Sequence, residues 1–250
     1  MERAPERQEG LRRGLAVILA FDAAHRAMTL ADLARRLGQP RATVRRALLT
    51  LMELGFVAAE GRLFRLTPGV LRLAGSYLGA SGAATLLQPA CDRLSAELGV
   101  ACSAAVLDGA EAVMVAYATP RFQHGGGAGL RLPAFCSAVG RVLLAGLSPA
   151  AEAAFLAALE PVPVTPRTVL DKDALRALLA QARAEGHALA DGEAELGFRS
   201  IAVPLRRLDG RVVAALNCGC AAAQASPEAM RARFLPRLQA EAAALDGLLP

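Results

Sequence analysis

Apolar positions recur at two different periods along the chain, and the change from one to the other divides it. Leu15, Ile18, Leu19 and Phe21 predict a helix over about Leu11 to Ala24. Leu30, Leu33, Ala34 and Leu37 repeat at helical spacing, with Thr29 at the N-cap position, Asp32 three residues on and Gly38 at the end. Pro40 fits the entry to a second helix, whose apolar face is Val44, Ala47, Leu48, Leu51 and Leu54. The connection is too short for anything but a tight turn, so the two faces bury against each other. Val57 to Leu66, turning at Glu60-Gly61, predicts a two-stranded wing. Thr67-Pro68 opens a helix over Val70 to Leu78 with Leu71, Leu73 and Leu78 apolar, and Gly79 to Ala84 reads as a linker.

Beyond the linker, helical and alternating patterns mix. Leu86 to Leu98 predicts a helix, Val100 to Leu107 and Ala112 to Tyr117 a strand pair turning at Asp108-Gly109, and Pro120 to Gly129 a flexible glycine-rich excursion. A short strand, Leu130 to Pro133, runs into a loop. Val142 to Leu147, Ala150 to Leu159 and Leu175 to Glu185 predict helices, the last ended by Gly186. Strands Phe198 to Leu205 and Val212 to Cys218 turn at Asp209-Gly210, and a helix from Pro227 closes the chain. Strands and helices do not alternate strictly, which predicts an antiparallel or mixed sheet with helices on its faces. The fold class expected is α+β: a winged helix-turn-helix over 1–66, a linker helix over 67–84, and a second domain over 85–250.

What stays outside on the second short helix is Arg41, Thr43, Arg45, Arg46 and Thr50, donors long enough to reach phosphates and base edges from a major groove. Arg41, Ala42 and Thr43 occupy its first turn, where a recognition helix points into DNA. Thr29, at the start of the preceding helix, and Arg62, on the wing, are the flanking candidates. Charge gives an independent signal. Residues 1–66 hold twelve arginines against seven acids, a balance of +5, while the remaining sixteen basic and sixteen acidic groups cancel. The whole positive excess lies on the segment that pattern alone assigns to DNA, as counterion release requires. The competing reading is an arginine-rich solvated face beside a small core; the turn, cap, wing and charge segregation together favour duplex DNA.

With 250 residues, 54% of them hydrophobic, the chain has material for two cores. No uninterrupted apolar run approaches the ~18 residues of a membrane span, and MERAPERQEG lacks the apolar block of a signal peptide, so a cytoplasmic protein is expected. Cys91, Cys102, Cys136, Cys218 and Cys220 are scattered, without a CxxC pair or a histidine at ligand spacing, and read as small buried hydrophobes. No metal site and no cofactor is expected. His25, His124 and His187, expected to be exposed or in loops, stand in no catalytic motif, and neither GxSxG, a P-loop nor HExxH is present. An enzyme is therefore not the expected reading.

Two segments, LRLPAFCSAVGRVLLAGL at 130–147 and DGEAELGFRSIAVPLRRLDGRVVAALN at 191–217, resemble the IclR family of bacterial transcription regulators, and the resemblance extends over nearly the whole chain. The wording is most similar to the branch controlling aromatic-acid catabolism through the β-ketoadipate pathway, the PcaR, PcaU and PobR type. The resemblance implies a linker helix that dimerises and a C-terminal effector-binding domain of GAF-like fold. It also implies dimers or dimers of dimers on an operator near a promoter, where RNA polymerase is a further possible contact. Carried over position by position, the effector pocket is lined by Ala138 and Val139 in the loop after the short strand, then Asp191, Ser200, Asn217 and Gly219. Ser200, Asn217 and the backbone of Val139-Gly140 supply donors, and Arg131 or Arg141 is the candidate fork for a carboxylate. Ala190, Phe135 and Ala138 depart from the family pattern toward apolar side chains, which favours aromatic or longer aliphatic acids over glyoxylate or pyruvate. The effector expected is an aromatic or dicarboxylic acid. Two alternatives stay open: a regulator of another carbon-source pathway, or a C-terminal domain that binds a protein partner instead of a ligand.

Overall fold

In the computed structural model, residues 8–22, 24–120 and 127–249 are described, and contacts divide the chain into two units, Met1–Tyr77 and Leu78–Pro250. His124 and most of the expected glycine-rich excursion lie outside the described residues.

The first unit carries α1 (Glu9–Leu19), β1 (Met28–Thr29), α2 (Leu30–Leu37), α3 (Arg41–Glu53), β2 (Val57–Glu60), β3 (Leu63–Leu66), a 3-10 turn at Pro68–Val70, and the start of α4 (Leu71–Ser81). Helix α1 ends at Leu19, five residues short of expectation. The Asp22 carboxylate accepts from the backbone N–H groups of Ala24 and His25 (2.9 and 2.8 Å), a local turn that competes with the helix. Thr29 caps α2 in a reciprocal box with Asp32, and Gly38 closes it at φ +60°. Val17, Leu33, Val44, Leu48, Leu51 and Val57 form the core where α1, α2 and α3 meet. The wing has three strands, because β1 pairs with β3 antiparallel beside β2. Two residues are too few for alternation to show.

Gly79 to Ala84 is not a loop. Helix α4 continues through Ser81, only Gly82 departs from helical geometry at φ +62°, and α5 runs over Ala83–Leu98. Isolated glycines cost about 1 kcal/mol each in a helix, which the surrounding alanines tolerate.

The second unit continues with β4 (Ala101–Asp108), β5 (Glu111–Ala118), β6 (Arg131–Pro133), a 3-10 turn at Ala134–Cys136, α6 (Ala138–Ala145), α7 (Pro149–Ala158), α8 (Lys172–Glu185), β7 (Ala188–Asp191), β8 (Phe198–Arg206) and β9 (Val212–Ala221). It closes with α9 (Pro227–Ala229), a π-turn at Met230–Phe234 and α10 (Leu235–Leu245). The six strands run β6-β5-β4-β9-β8-β7, and every pairing is antiparallel, so the mixed alternative falls away. Strand alternation separates two cores. Cys102, Ala104, Ile201, Val203, Leu216 and Cys218 face α5 and α10, while Ala105, Ala202 and Ala215 face α6. Arg93 of α5 clasps Glu241 of α10 through two hydrogen bonds of 3.0 and 2.7 Å.

Strand β7 had no visible signal; Gly186 at φ +68° ends α8 and leaves four residues to pair along the β8 edge. Helix α6 begins four residues before Val142, because the Ser137 hydroxyl accepts from the Gly140 N–H at 3.2 Å and caps it. Ala138 and Val139 therefore lie in the first turn of a helix and not in a loop.

Candidate nucleic-acid interface and ligand cavity

In the first unit, side-chain pairing separates the arginines into two sets. Arg12 and Arg13 pair with Glu9, Arg35 with Asp32, Arg36 with Asp22 at 2.5 Å, and Arg65 with Glu60. Arg41, Arg45, Arg46 and Arg62 form no ion pair with any described residue. Arg41, Ala42, Arg45, Arg46 and Thr50 are exposed on α3, and Thr43 is half-buried. Thr43, Arg46 and Thr50 also edge an apolar cavity of about 570 Å³ whose walls include Leu11, Leu15, Ile18, Leu54, Phe56 and Leu73. The Thr50 hydroxyl donates back to the Arg46 carbonyl at 3.2 Å. Thr29 does not belong to this exposed set: its hydroxyl is held by Asp32 at 2.6 Å within the cap. Leu49 is exposed between the α3 arginines, a residue that apolar counting alone did not single out.

In the second unit a cavity of about 530 Å³ opens on the α6 face of the sheet. Register builds its floor. Ser103 of β4 stands opposite Asn217 of β9, and Ser200 of β8 opposite Gly219, all on one face. Asn217 Nδ2 donates to Ser103 Oγ at 3.3 Å, while its Oδ1 is buried with no partner among the described residues. A buried amide acceptor left in this way costs free energy until something supplies a donor. The walls are apolar, with Met114, Leu130, Leu132, Val139 and Phe198; Tyr117, Thr119, Glu195 and Gln224 bring polar groups. The Phe198 ring lies so close to Gly219 that a Cβ there would meet it at 2.6 Å. Burial pushes the Tyr117 phenol up from its ordinary value, against a hydrogen bond with Thr119 that lowers it.

Of the carried-over residues, Val139, Ser200, Asn217 and Gly219 line the cavity together. Ala138 and Gly140 do not: both are buried in α6, and a Cβ on Gly140 would meet the Ala134 backbone at 2.2 Å. Arg131 is an exposed residue held by Glu111 at 2.6 Å and Asp108 at 2.7 Å. Arg141 is buried and committed. Its guanidinium bonds both carboxylate oxygens of Glu193, one at 2.7 Å, and the Phe135 carbonyl at 3.1 Å. Neither arginine is free to fork a ligand carboxylate in this cavity. Asp191 pairs in register with Arg199 and so shares its face, the one opposite Ser200. Arg199 Nη2 donates to Asp191 Oδ2 at 3.0 Å, with Nε 2.8 Å from Oδ1 as a further ion-pair contact, and this hydrogen bond holds the Asp191 carboxyl below its ordinary range, although burial acts the other way.

Sequence reasoning missed Ser103, although a serine interrupting the apolar run ACSAAVL was a readable signal. Glu195, Phe198 and Gln224 carried none, because it is the pairing of β8 with β9 that brings the β7–β8 turn and the end of β9 to one cavity. His187 lies in the loop between α8 and β7, in keeping with the exposed or loop expectation, and is buried there beside the Glu185 carbonyl. All five cysteines are free and buried, with Cys102 and Cys218 opposed across β4 and β9 at 3.1 Å between sulfurs. Among the described residues no cluster of three or more His, Cys, Asp and Glu could hold a metal ion.

The IclR helix-turn-helix domain matches residues 10–61, and the bacterial transcriptional regulator IclR C-terminal domain matches residues 75–247. The chain belongs to the IclR family. This IclR-family regulator is 38% identical over 239 residues to the Pca regulon regulatory protein of Pseudomonas putida, across 94% of this chain and 82% of that protein. It is 32% identical over 247 residues to the p-hydroxybenzoate hydroxylase transcriptional activator of Acinetobacter baylyi, across 96% and 91%. An IclR homolog from Microbacterium hydrocarbonoxydans, solved in complex with 4-hydroxybenzoate, matches with a TM-score of 0.79 at 28% identity, covering 95% of this chain and 98% of that one. The regulator is thus a DNA-binding transcription factor with an effector-binding C-terminal domain, not an enzyme, and it is close to Pca-type and p-hydroxybenzoate-type regulators. Among the described residues no helix is long and apolar enough to cross a membrane.

Proposed function

We propose that this regulator binds a double-stranded operator through α3 and the wing, and senses a small aromatic acid in the sheet cavity to control an aromatic-acid catabolic operon. The observation that carries the ligand reading is Asn217: a buried amide with an open acceptor, beside two serines, on the floor of an apolar-walled cavity. A small acid needs polar partners at one end and apolar walls along its body, and that is the order of groups here. The relation to a structure holding 4-hydroxybenzoate makes hydroxybenzoates the first acids to try. Arg41, Arg45, Arg46 and Arg62 carry the DNA reading, since cations with no internal partner are available to phosphates and base edges.

A homodimer, or a dimer of dimers, follows as part of the same reading. Leu11, Leu15, Leu19, Leu71 and Tyr77 are exposed apolar residues on α1 and α4, beside the groove edged by Leu54 and Leu73. A second copy burying this strip would place two α3 helices on a symmetric operator.

The test is thermal unfolding of the full chain against a panel of benzoates, hydroxybenzoates and aliphatic dicarboxylates. A ligand confined to the native state adds about 2.7 kcal/mol at roughly 100 times Kd, a shift of several degrees. Operator affinity measured with and without the same acid, at fixed salt, then separates control of DNA binding from control of polymerase contact. No shift with any acid would defeat the ligand reading and favour a protein-binding module.

A further inference from the structure

One wall of the sheet cavity is the turn between β7 and β8, which brings Ala194 and Glu195 into its lining. Gly192 and Gly197 bracket this turn at φ +72° and +80°, a region that glycine enters without strain. Its backbone closes on itself, with the Gly192 N–H donating to the Phe198 carbonyl at 2.8 Å and the Phe198 N–H to the Glu195 carbonyl at 3.1 Å. Glu195 and Leu196 are exposed, so little apolar burial holds the turn down.

Two sets of polar contacts tie it to the rest of the unit. Arg141 of α6 donates to both carboxylate oxygens of Glu193, one at 2.7 Å, and also to the Phe135 carbonyl at 3.1 Å. Val139 of α6 and its capping residue Ser137 line the same cavity, so this one guanidinium joins two of the cavity's walls. The connection between α7 and α8 supplies the second tie: the Thr165 hydroxyl donates to the Gly192 carbonyl at 2.6 Å, and the Thr168 hydroxyl to the Glu193 carbonyl at 2.8 Å. Arg141 and Glu193 are both buried, and a buried ion pair adds little net stability while admitting one geometry.

Resting on the reading of this cavity as the effector site, we infer that the turn over residues 192–197 is a gate, latched by Arg141 and Glu193 and strapped by Thr165 and Thr168. It swings on its two glycines to admit and release the effector. Arg141 and Glu193 are positioning residues: neither lines the cavity, and they set how often the wall opens. Latch and strap both hold Glu193, so opening releases them together.

Hydrogen exchange of the full chain tests this, together with the binding kinetics of 4-hydroxybenzoate as a probe, read from its aromatic NMR signals. The proteins compared are wild type, the double variant Arg141→Met with Glu193→Leu, and the double variant Thr165→Val with Thr168→Val. In wild type the Gly192 and Phe198 amides should exchange faster than those at the centre of β9. Replacing both members of the ion pair leaves no unpaired buried charge, so the unfolding temperature should hold while exchange in the turn rises at least about tenfold. The strap variant should raise it about two- to tenfold, the scale of a neutral hydrogen bond, and Thr165→Ser with Thr168→Ser, which keeps both donors, should match wild type. A gate speeds entry and exit alike, so both rate constants for the probe should climb with little change in affinity, whereas loss of an ordinary wall contact raises the exit rate alone. A rise in exit alone overturns the gate while the effector site stands; so does turn exchange locked to that of β9, or faster exchange with unchanged probe kinetics. If the apolar pair lowers the unfolding temperature, the strap variant decides by the same criteria. If 4-hydroxybenzoate and the other acids of the panel do not bind wild type, the effector reading itself fails, and the gate with it.

Discussion

The arginines of the first unit show how much a side chain's partners say about its work. Those on α1 and α2 are spent on neighbouring acids, as is Arg65 of the wing, while those on the exposed side of α3 and Arg62 in the wing turn have none among the described residues. Arg45→Ala or Arg46→Ala should therefore weaken operator binding and reduce the salt slope by about 1, whereas Thr43→Ala should change sequence preference more than salt dependence. Filter binding on the natural operator and a scrambled duplex, over a range of salt, distinguishes the two; three unchanged proteins would remove α3 from the interface. On the cavity floor, Asn217→Ala and Ser200→Ala should spare operator binding and abolish the thermal shift given by the effector. Asp191, on the sheet face away from Ser200, is expected to act through stability. Its carboxyl is held low by Arg199, so the pair contributes above the ordinary carboxylate value of ~3.9 and is lost as pH falls through the lower folded value. Asp191→Asn should lower the unfolding temperature at neutral pH, and the difference from wild type should close in acid.

Element boundaries were legible where a side chain closes a local ring or a glycine ends a turn. Thr29 and Asp32 marked α2, and Gly38, Gly99 and Gly186, all at positive φ, end their helices. Thr29→Ala should cost about 1 kcal/mol in urea unfolding of the first unit, the usual worth of an N-cap. Boundaries failed where the competitor was equally local but weaker in pattern: the Asp22 turn stopped α1, and Ser137 started α6 a full turn early. The second miss mattered for the site, since it turned Ala138 and Val139 from loop into helix, burying both and setting only Val139 of the two on the cavity wall. Gly140→Ala tests how tightly that helix is seated. The new methyl would overlap the Ala134 backbone, and overpacking of this kind costs ~1–3 kcal/mol. Urea unfolding should show that loss, and effector affinity should fall as Val139 is displaced.

For the whole molecule, the second unit encloses its thiols so well that they report on global unfolding. Burial pushes the Cys136 thiol up to about 11, and drives those of Cys91 and Cys220 upward; Cys218 is raised first by its hydrogen bond with Cys102 and then by burial. A thiol reagent should label none of the five in the native protein at mildly alkaline pH and all five after denaturation. The sequence by itself determined the two-part organisation, the helix-turn-helix with its cap and wing, and the side of the chain that carries the positive charge, because each depends on spacing between near neighbours. Only the tertiary structure decided which polar groups meet. Ser103 and Asn217 are 114 residues apart, and Arg141 and Glu193 are 52 apart, so nothing local could announce either pair. Alternation along a strand states that Asp191 and Ser200 lie on opposite faces once the register is known; the register, and the choice of which face meets α6, come from packing the whole sheet.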